Sequence, residues 1–118
     1  MKRLVIDASI AVSWFLEDEH SDYAQEVRNR IPVAELVSVP APWMLEVTNA
    51  LLVAERRKRI AAASVNHAVG LLRQMPIRAD AETDNQAGRQ TLELARQHAL
   101  SIYDAAYLEL ALRLGAGL

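Results

Sequence analysis

Leu4-Val5-Ile6-Asp7-Ala8-Ser9 is the stretch that decides the fold of this 118-residue chain. Its first three residues are apolar and two of them are β-branched, which is typical of a short buried strand. The carboxylate and the small residues that follow predict a direct passage from the strand into a helix. Ligands bind beyond the carboxyl ends of the strands in open parallel sheets, so Asp7 is expected at a functional edge.

Length and composition indicate one folded domain over residues 1–118, because 52% of the residues are hydrophobic and 24% are charged. The chain has no cysteine, which excludes disulfides and thiolate metal sites and suits a reducing cytoplasm. Asp7 interrupts the apolar start, so we expect no signal peptide, and no apolar run is long enough for a membrane helix. The formal net charge of −2 means that polyanion binding requires a local basic patch or a metal.

Strand and helix patterns alternate along the chain. They predict strands over residues 4–6, 36–39 and 77–79, and helices over residues 9–16, 22–30, 43–59, 61–75, 83–98 and 103–114. The apolar segment 100–102 also has a strand-like pattern. This alternation predicts an α/β fold with a parallel sheet and helices on both of its faces. Residues 115–118 are expected to lead towards a further strand, so the domain is expected to lack its last strand.

Two other acids have apolar neighbours and are candidates to meet Asp7. Glu46 lies one turn inside the predicted helix 43–59, on a face that is small and nearly neutral, as the wall of a cleft should be. The other residues of that face are Asn49, Ala50 and Val53. Asp104 opens the last helix directly after segment 100–102. Because Asp7 and Asp104 both follow strand-like segments, we expect both at the same edge of the sheet.

Three carboxylates at one edge would repel one another unless a cation lay between them. Oxygen ligands with open water positions suit Mg²⁺ or Mn²⁺. Each acid also has a purely structural explanation: Asp7 or Asp104 as a helix N-cap, and Glu46 as a favourable charge near the positive end of its helix. The coincidence of all three at one predicted edge favours a metal site.

The residues around these acids resemble the PIN-domain family, and most of all its VapC-type toxin ribonucleases from toxin–antitoxin modules. The similar motifs are Val5-Ile6-Asp7-Ala8-Ser9, Glu46-Val47-Thr48-Asn49-Ala50-Leu51 and Ser101-Ile102-Tyr103-Asp104-Ala105-Ala106-Tyr107. The resemblance implies a three-layer α/β/α sandwich, a Mg²⁺- or Mn²⁺-dependent endoribonuclease, a homodimer and neutralisation by a cognate antitoxin. It places Asp7, Glu46 and Asp104 on metal-binding acids and Ser9 and Asn49 on supporting polar positions. The family usually has one more acid after the next strand, and this chain ends before it.

The hypothesis that follows is RNA phosphodiester cleavage by a water activated at the three acids, leaving a 5′-phosphate. One alternative is a catalytically silent interaction module with the PIN fold, because the last acid is missing. Another is a phosphotransfer receiver or phosphatase that uses Asp7 as its nucleophile. It is opposed by the absence of a second acid next to Asp7.

Two surface features carry further expectations. The cluster Arg56-Arg57-Lys58-Arg59 is either a solvated helix end, stabilised by the helix dipole, or a contact to the RNA backbone. The residues Trp14, Phe15, Leu16 and Tyr23 flank a polar turn and would form a dimer or antitoxin surface if they were exposed. Tyr103 and Tyr107 are expected to pack in the core.

Overall fold

A computed structural model describes residues 2–117 and places three short parallel strands at the centre of the molecule. They are β1 (Arg3–Val5), β2 (Leu36–Val39) and β3 (Arg78–Ala79), in the sheet order β1-β2-β3. Leu4 is opposite Val37 in the register of β1 and β2. Gly117 pairs with Leu4 on the free side of β1, where its carbonyl accepts a 2.9 Å hydrogen bond from the Val5 amide.

Seven helices connect and surround the strands in the described part of the chain. They are α1 (Ala8–Ser13), α2 (Asp22–Arg30), α3 (Trp43–Arg56), α4 (Ala62–Gln74), α5 (Thr83–Gln86), α6 (Leu92–His98) and α7 (Ile102–Leu114). Short 3₁₀ turns occupy Glu17–Glu19 and Ile31–Val33. The expected fold class is confirmed, since the chain is an α/β sandwich that is mostly helical around a short parallel sheet.

The main core lies between the strands and the long helices. Strands β1 and β2 supply Val5, Val37 and Val39, and α3 supplies a buried face whose positions recur every three or four residues, as one side of a helix requires. That face consists of Trp43, Val47, Leu51 and Ala54. A smaller cluster of Leu94, Ala95 and Ala105 joins α6 to α7. This packing holds the N-terminal halves of α1, α3 and α7 near the carboxyl end of β1.

Helix α3 ends at Arg56, although a helix was predicted over residues 43–59. Lys58 adopts the left-handed conformation with φ of 61°, and the Arg59 amide bonds back to the Ala54 carbonyl at 2.9 Å. This hydrogen bond closes the helix in the way that a Schellman motif does, usually with glycine at the left-handed position. The prediction ran too far because no glycine marks this end.

The helix predicted over residues 83–98 is broken in two. Between α5 and α6 lies a wide turn, Ala87–Thr91, in which Arg89 has non-helical angles of φ −120° and ψ −109°. The break adjoins Gly88, and glycine has the weakest helix propensity after proline. The prediction of one continuous helix was therefore wrong at this point.

Segment 100–102 is not a strand, and this corrects the reasoning that placed Asp104 at the sheet edge. Ala99 closes α6 in the left-handed conformation, and Ser101 is the N-cap of α7, with its Oγ accepting from the Asp104 amide at 3.0 Å. Short apolar runs do not separate strands from buried helix starts by pattern alone. Asp104 is therefore positioned by α7, and its backbone, not its carboxylate, takes part in the cap.

The left-handed Ala99 gives a first testable expectation. Its φ of 53° costs an L-residue roughly 1–2 kcal/mol, and glycine does not have this cost. Glycine also raises the conformational entropy of the unfolded chain, which offsets part of the gain. Ala99→Gly is therefore expected to raise the free energy of unfolding by about 0.5–1 kcal/mol in urea titrations. Ala63→Gly is the matched control, because this exposed position lies in the first turn of α4 with ordinary helical geometry and the same change should lower stability there by up to about 1 kcal/mol. Destabilisation by both changes would contradict the strain at Ala99.

Candidate functional site

Asp7 stands where β1 ends and α1 begins. It is the N-cap of α1, with φ of −67° and ψ of 142°, and its Oδ1 accepts a 2.9 Å hydrogen bond from the Ser9 amide. The preceding Val5 and Ile6 are almost completely buried, so the backbone below the carboxylate is fixed by the core. The capping explanation for Asp7 is thus correct. It occupies only one carboxylate oxygen, and Oδ2 accepts no hydrogen bond from the described residues.

Glu46 reaches the same place from α3. It lies in the first turn of the helix, and its Oε2 accepts a 3.2 Å hydrogen bond from the hydroxyl of Tyr107 on α7. The same hydroxyl accepts a 3.3 Å hydrogen bond from the amide of Ala8, the residue after Asp7. Tyr107 therefore connects the start of α1, the first turn of α3 and the middle of α7 at one point.

The two carboxylates face a single open cleft of about 460 Å³. The wall from α3 matches the predicted small face, with Ala50 and Val53 behind Glu46. The lining residues are Asp7, Ala8, Ser9, Val12, Leu16, Glu19, Glu46, Ala50, Val53 and Arg59. Asp7, at the end of β1, and Glu46, on α3, therefore line the same cleft, as the sequence predicted.

Arg59 is the one member of the basic cluster that lines this cleft. The turn at Lys58 directs its side chain towards the acidic 3₁₀ turn. There Nε and Nη2 donate to Asp18 at 3.0 and 2.9 Å, and Nη2 also donates to Glu19 at 2.6 Å. Nη1 donates no hydrogen bond to any residue of 2–117. A guanidinium held in this way is an oriented donor at the mouth of an acidic cleft.

Of the other residues predicted for the site, only Ser9 lines the cleft. Asp104 is exposed in the first turn of α7, three residues before Tyr107, and does not line the cleft. Ser9 lines the cleft, whereas Asn49 is exposed and does not. Within residues 2–117 no group of three acidic, histidine or cysteine side chains lies close enough to hold a metal ion.

The hydroxyl of Tyr107 stays protonated at neutral pH. Burial raises the pKa of Tyr107 well above its usual value of 10.0, although the Ala8 amide opposes this shift. The nearby carboxylates of Glu46 and Asp7 raise the pKa further. Because the proton remains on the phenol, Tyr107 is a hydrogen-bond donor to Glu46 throughout the physiological range.

A further acid at this edge of the sheet has a structural partner. Asp80 follows β3 directly, and its amide bonds to the Val39 carbonyl of β2 at 2.8 Å. Its carboxylate receives two hydrogen bonds from the Arg113 guanidinium on α7, which holds the pKa of Asp80 below its usual value. An acid that is neutralised by arginine is a poor metal ligand, so Asp80 belongs to the scaffold.

The chain as a whole matches a known protein family. The model of the PIN domain matches residues 4–118, which is nearly the whole chain. The chain belongs to the PIN-domain family. A search of the curated proteins found no match. PIN domains are typically metal-dependent nucleases. No helix within residues 2–117 is long and apolar enough to cross a membrane.

The donor set of this PIN domain fits the divalent ions that its family uses. Asp7 and Glu46 offer hard oxygen donors, and each has one carboxylate oxygen without a hydrogen bond from the described residues. Two uncompensated carboxylates in one cleft favour a cation by simple charge neutralisation. These two side chains would hold the ion directly, whereas Asp104 would have to turn towards the cleft to join them.

Glu19 and Tyr107 were missed or given another role by sequence reasoning, whereas Arg59 was predicted as an RNA contact but not as part of the cleft. Glu19 and Arg59 reach the cleft only through the turns at residues 17–19 and 57–59, for which the sequence contains no marker. Tyr103 and Tyr107 were both expected to pack in the core; Tyr107 does, at 5% exposed, but the prediction was wrong for Tyr103, which is 70% exposed. A buried tyrosine usually bonds its hydroxyl to a polar partner, and this rule could have led to Glu46.

Proposed function

We propose that this PIN domain is a metal-dependent endoribonuclease and that it acts as a toxin neutralised by a cognate antitoxin protein. The observation that carries the proposal is the convergence of Asp7 and Glu46 on one cleft, tied together through Tyr107. Asp104 completes the proposed metal-binding and catalytic set, because it lies on the same helix and the same side as Tyr107, one turn earlier. Ser9 and Asn49 are the proposed supporting polar residues.

The chemistry divides between the bound ion and the side chains. When bound, Mg²⁺ or Mn²⁺ supplies a Lewis acid that lowers the pKa of water and offsets charge on a phosphate. Asp7 and Glu46 supply the negative charge that holds the ion, and the N-cap bond to Ser9 fixes the Asp7 carboxylate in one orientation. The products proposed for RNA carry a 5′-phosphate.

The basic cluster supplies the proposed contacts to the RNA backbone. Arg59 is the member nearest the acids, since its guanidinium lines the cleft and is oriented by Asp18 and Glu19. Its Nη1, which bonds to no described residue, suits a phosphate oxygen close to the scissile bond. Arg56, Arg57 and Lys58 are exposed and are proposed to contact phosphates further along the strand. A compact basic patch of this kind suits a chain whose net charge is −2.

Arg59→Gln is expected to weaken RNA binding and to reduce its salt dependence. Losing one phosphate contact lowers the slope of log affinity against log salt by about 0.7 for a single strand. The measurement is fluorescence anisotropy with a labelled RNA at several salt concentrations, in Ca²⁺ so that cleavage does not interfere.

Two further variants serve as controls for the salt dependence of Arg59→Gln. Arg73→Gln removes an equivalent charge from the last turn of α4, away from the cleft, and should leave the slope unchanged. Arg59→Lys should keep the slope but lower affinity, because lysine lacks the fixed fork of arginine. Equal slopes for wild type and Arg59→Gln would remove Arg59 from the interface.

The partners follow from the toxin proposal. A homodimer and an antitoxin complex are proposed for a cytoplasmic protein, but the aromatic surface expected for them is less exposed than its sequence suggested. Leu16 is buried, and the Arg28 guanidinium lies 5.9 Å from the Trp14 ring centroid and 5.8 Å from that of Phe15. Only Tyr23 remains largely exposed. Light scattering at micromolar concentration tests the dimer.

Mn²⁺ calorimetry on the wild-type chain is the experiment that tests the metal-dependent function. Saturable binding is expected, followed by Mn²⁺-dependent cleavage in a pool of structured RNAs. Absence of binding would favour the catalytically silent PIN-fold module instead. In that case the fold and partner surfaces would remain, without chemistry at Asp7.

A further inference from the structure

We propose that Tyr107 is a positioning residue that sets the Glu46 carboxylate for cation binding. This inference rests on the proposed metal site and assigns a role that the acids alone do not account for. Tyr107 itself contacts neither the reacting atoms nor the substrate in this proposal. It acts through the hydrogen bond from its hydroxyl to Glu46 Oε2.

The first argument is the direction of both hydrogen bonds. The Ala8 amide donates to the Tyr107 oxygen at 3.3 Å, and the hydroxyl proton then points to Glu46 at 3.2 Å. Because the amide occupies one acceptor position of the oxygen, the phenol has its proton left for the carboxylate. Both hydrogen bonds therefore run in the same direction, from the Ala8 amide to the Tyr107 oxygen and from the Tyr107 hydroxyl to Glu46.

The second argument is the rigidity of the anchor. The Tyr107 ring is 5% exposed, and its neighbours on α7, Leu110 and Ala111, belong to the main core. The Ala8 amide is equally fixed, because it lies at the junction of β1 and α1. Glu46, in contrast, is a three-torsion side chain that is only half-buried and accepts no other hydrogen bond from residues 2–117. The rigid phenol restricts the flexible carboxylate.

The third argument is what the hydroxyl leaves available. It engages Oε2 of Glu46 and leaves Oε1 without a hydrogen bond from residues 2–117, just as the Ser9 amide engages Oδ1 of Asp7 and no described residue bonds to Oδ2. Each acid thus has one oxygen held by the protein and one oxygen for a cation. Partners of metal-ligating groups that are held in this way typically change metal affinity by 10–100-fold when they are removed.

Tyr107→Phe removes the hydroxyl and retains the ring. Its dissociation constant for Mn²⁺, measured by calorimetry, is expected to rise about 10- to 100-fold relative to wild type. Tyr103→Phe is the matched control, since Tyr103 lies one turn earlier on α7, is 70% exposed and does not line the cleft. Its dissociation constant should equal that of wild type.

A general loss of stability must be separated from a loss of positioning. Val65→Ala weakens the core on α4, away from the cleft, and should lower the melting temperature without changing Mn²⁺ affinity. Replacing Tyr107 by 4-aminophenylalanine restores an N–H donor towards Glu46, although its nitrogen accepts poorly from the Ala8 amide, and should recover part of the affinity lost in Tyr107→Phe. If Tyr107→Phe does not fold, the Mn²⁺ affinity of the 4-aminophenylalanine variant still tests the role of the donor at this position.

The outcomes distinguish this inference from the proposed function. If wild type binds Mn²⁺ and Tyr107→Phe binds it equally well, the positioning role is wrong and the metal site stands. The positioning role is also wrong if 4-aminophenylalanine binds as weakly as phenylalanine. If wild type binds no Mn²⁺, the proposed function fails, and the role of Tyr107 towards a cation fails with it.

Discussion

Replacing Asp7 by asparagine is expected to abolish Mn²⁺ binding and to reduce RNA cleavage by about a thousandfold or more, with the fold intact. Asparagine and aspartate are equally good N-caps, so the bond from the Ser9 amide and the start of α1 should survive. The carboxylate charge is lost. Lewis-acid catalysis contributes several kcal/mol, and each 1.36 kcal/mol is a factor of ten in rate. Calorimetry and a gel assay with the best-cleaved RNA measure the two effects.

The control for this variant is Asp22→Asn, which removes a fully exposed carboxylate from the first turn of α2. It should bind Mn²⁺ and cleave RNA as wild type does. Circular dichroism must give the same helix content for all three chains. Retained cleavage by Asp7→Asn would rule out the mechanism, because no other described residue provides the same charge at the end of β1.

Asp104→Asn tests how complete the site is. If Asp104 turns towards the cleft when the ion binds, Mn²⁺ affinity should fall sharply in this variant as well. Wild-type affinity in Asp104→Asn would instead mean that Asp7 and Glu46 bind the ion with water in the remaining positions. The exposed start of α7 and the cap made by Ser101 are compatible with the movement, since the carboxylate makes no hydrogen bond within residues 2–117.

The sequence predicted those parts of the fold that local patterns determine. Strand β2 and helix α2 lie where their apolar periodicity and their flanking residues placed them. The helix boundaries were predicted wrongly where one residue has an unusual backbone conformation. Lys58 and Ala99 are left-handed without being glycine, and Arg89 has non-helical angles in the middle of a predicted helix. These residues carry no side-chain signal for such backbone angles, so apolar periodicity alone extends the helices past them.

In the candidate site, too, the residues placed by a single element were predicted and those placed by turns were not. Asp7 at a strand end and Glu46 on a small helix face were correctly expected to share a cleft, because each position follows from one element. Arg59 depends on the turn after α3, and Glu19 depends on a 3₁₀ turn, so neither could be placed from periodicity. Asp104 was placed by a strand that does not exist.

Replacing Arg113 by leucine is expected to lower the free energy of unfolding by about 3–5 kcal/mol at neutral pH. The guanidinium donates to both oxygens of Glu109, at 2.8 and 2.9 Å, and to both oxygens of Asp80. Glu109 is 4% exposed, so the variant leaves a buried carboxylate without its partner. Urea titration monitored by circular dichroism measures the loss, which should appear as a melting temperature lower by roughly 10 °C or more.

The size of this effect depends on burial, and the chain provides a matched comparison. Arg96 pairs with Glu93 on α6 at 3.1 Å, with both side chains mostly exposed, so Arg96→Leu should cost less than about 1 kcal/mol. Adding Glu109→Gln to Arg113→Leu should recover much of the loss, because an amide is far easier to bury than a charge. Equal costs for the two arginine variants would contradict the role of Arg113 as the partner of the buried Glu109 carboxylate and of Asp80 after β3.

The pH dependence separates the charge contribution of this cluster, which includes Asp80, from its packing. The hydrogen bond from Arg113 holds the pKa of Asp80 below its usual value of 3.8 in the folded chain. A carboxyl whose pKa is lowered by folding stabilises the protein fully above its unfolded pKa, and this contribution declines as the pH falls towards the folded pKa. The stability difference between wild type and Arg113→Leu should therefore be largest near pH 7 and smaller at pH 3. A difference that stays constant over this range would mean that Arg113 stabilises the fold by packing rather than by its charge.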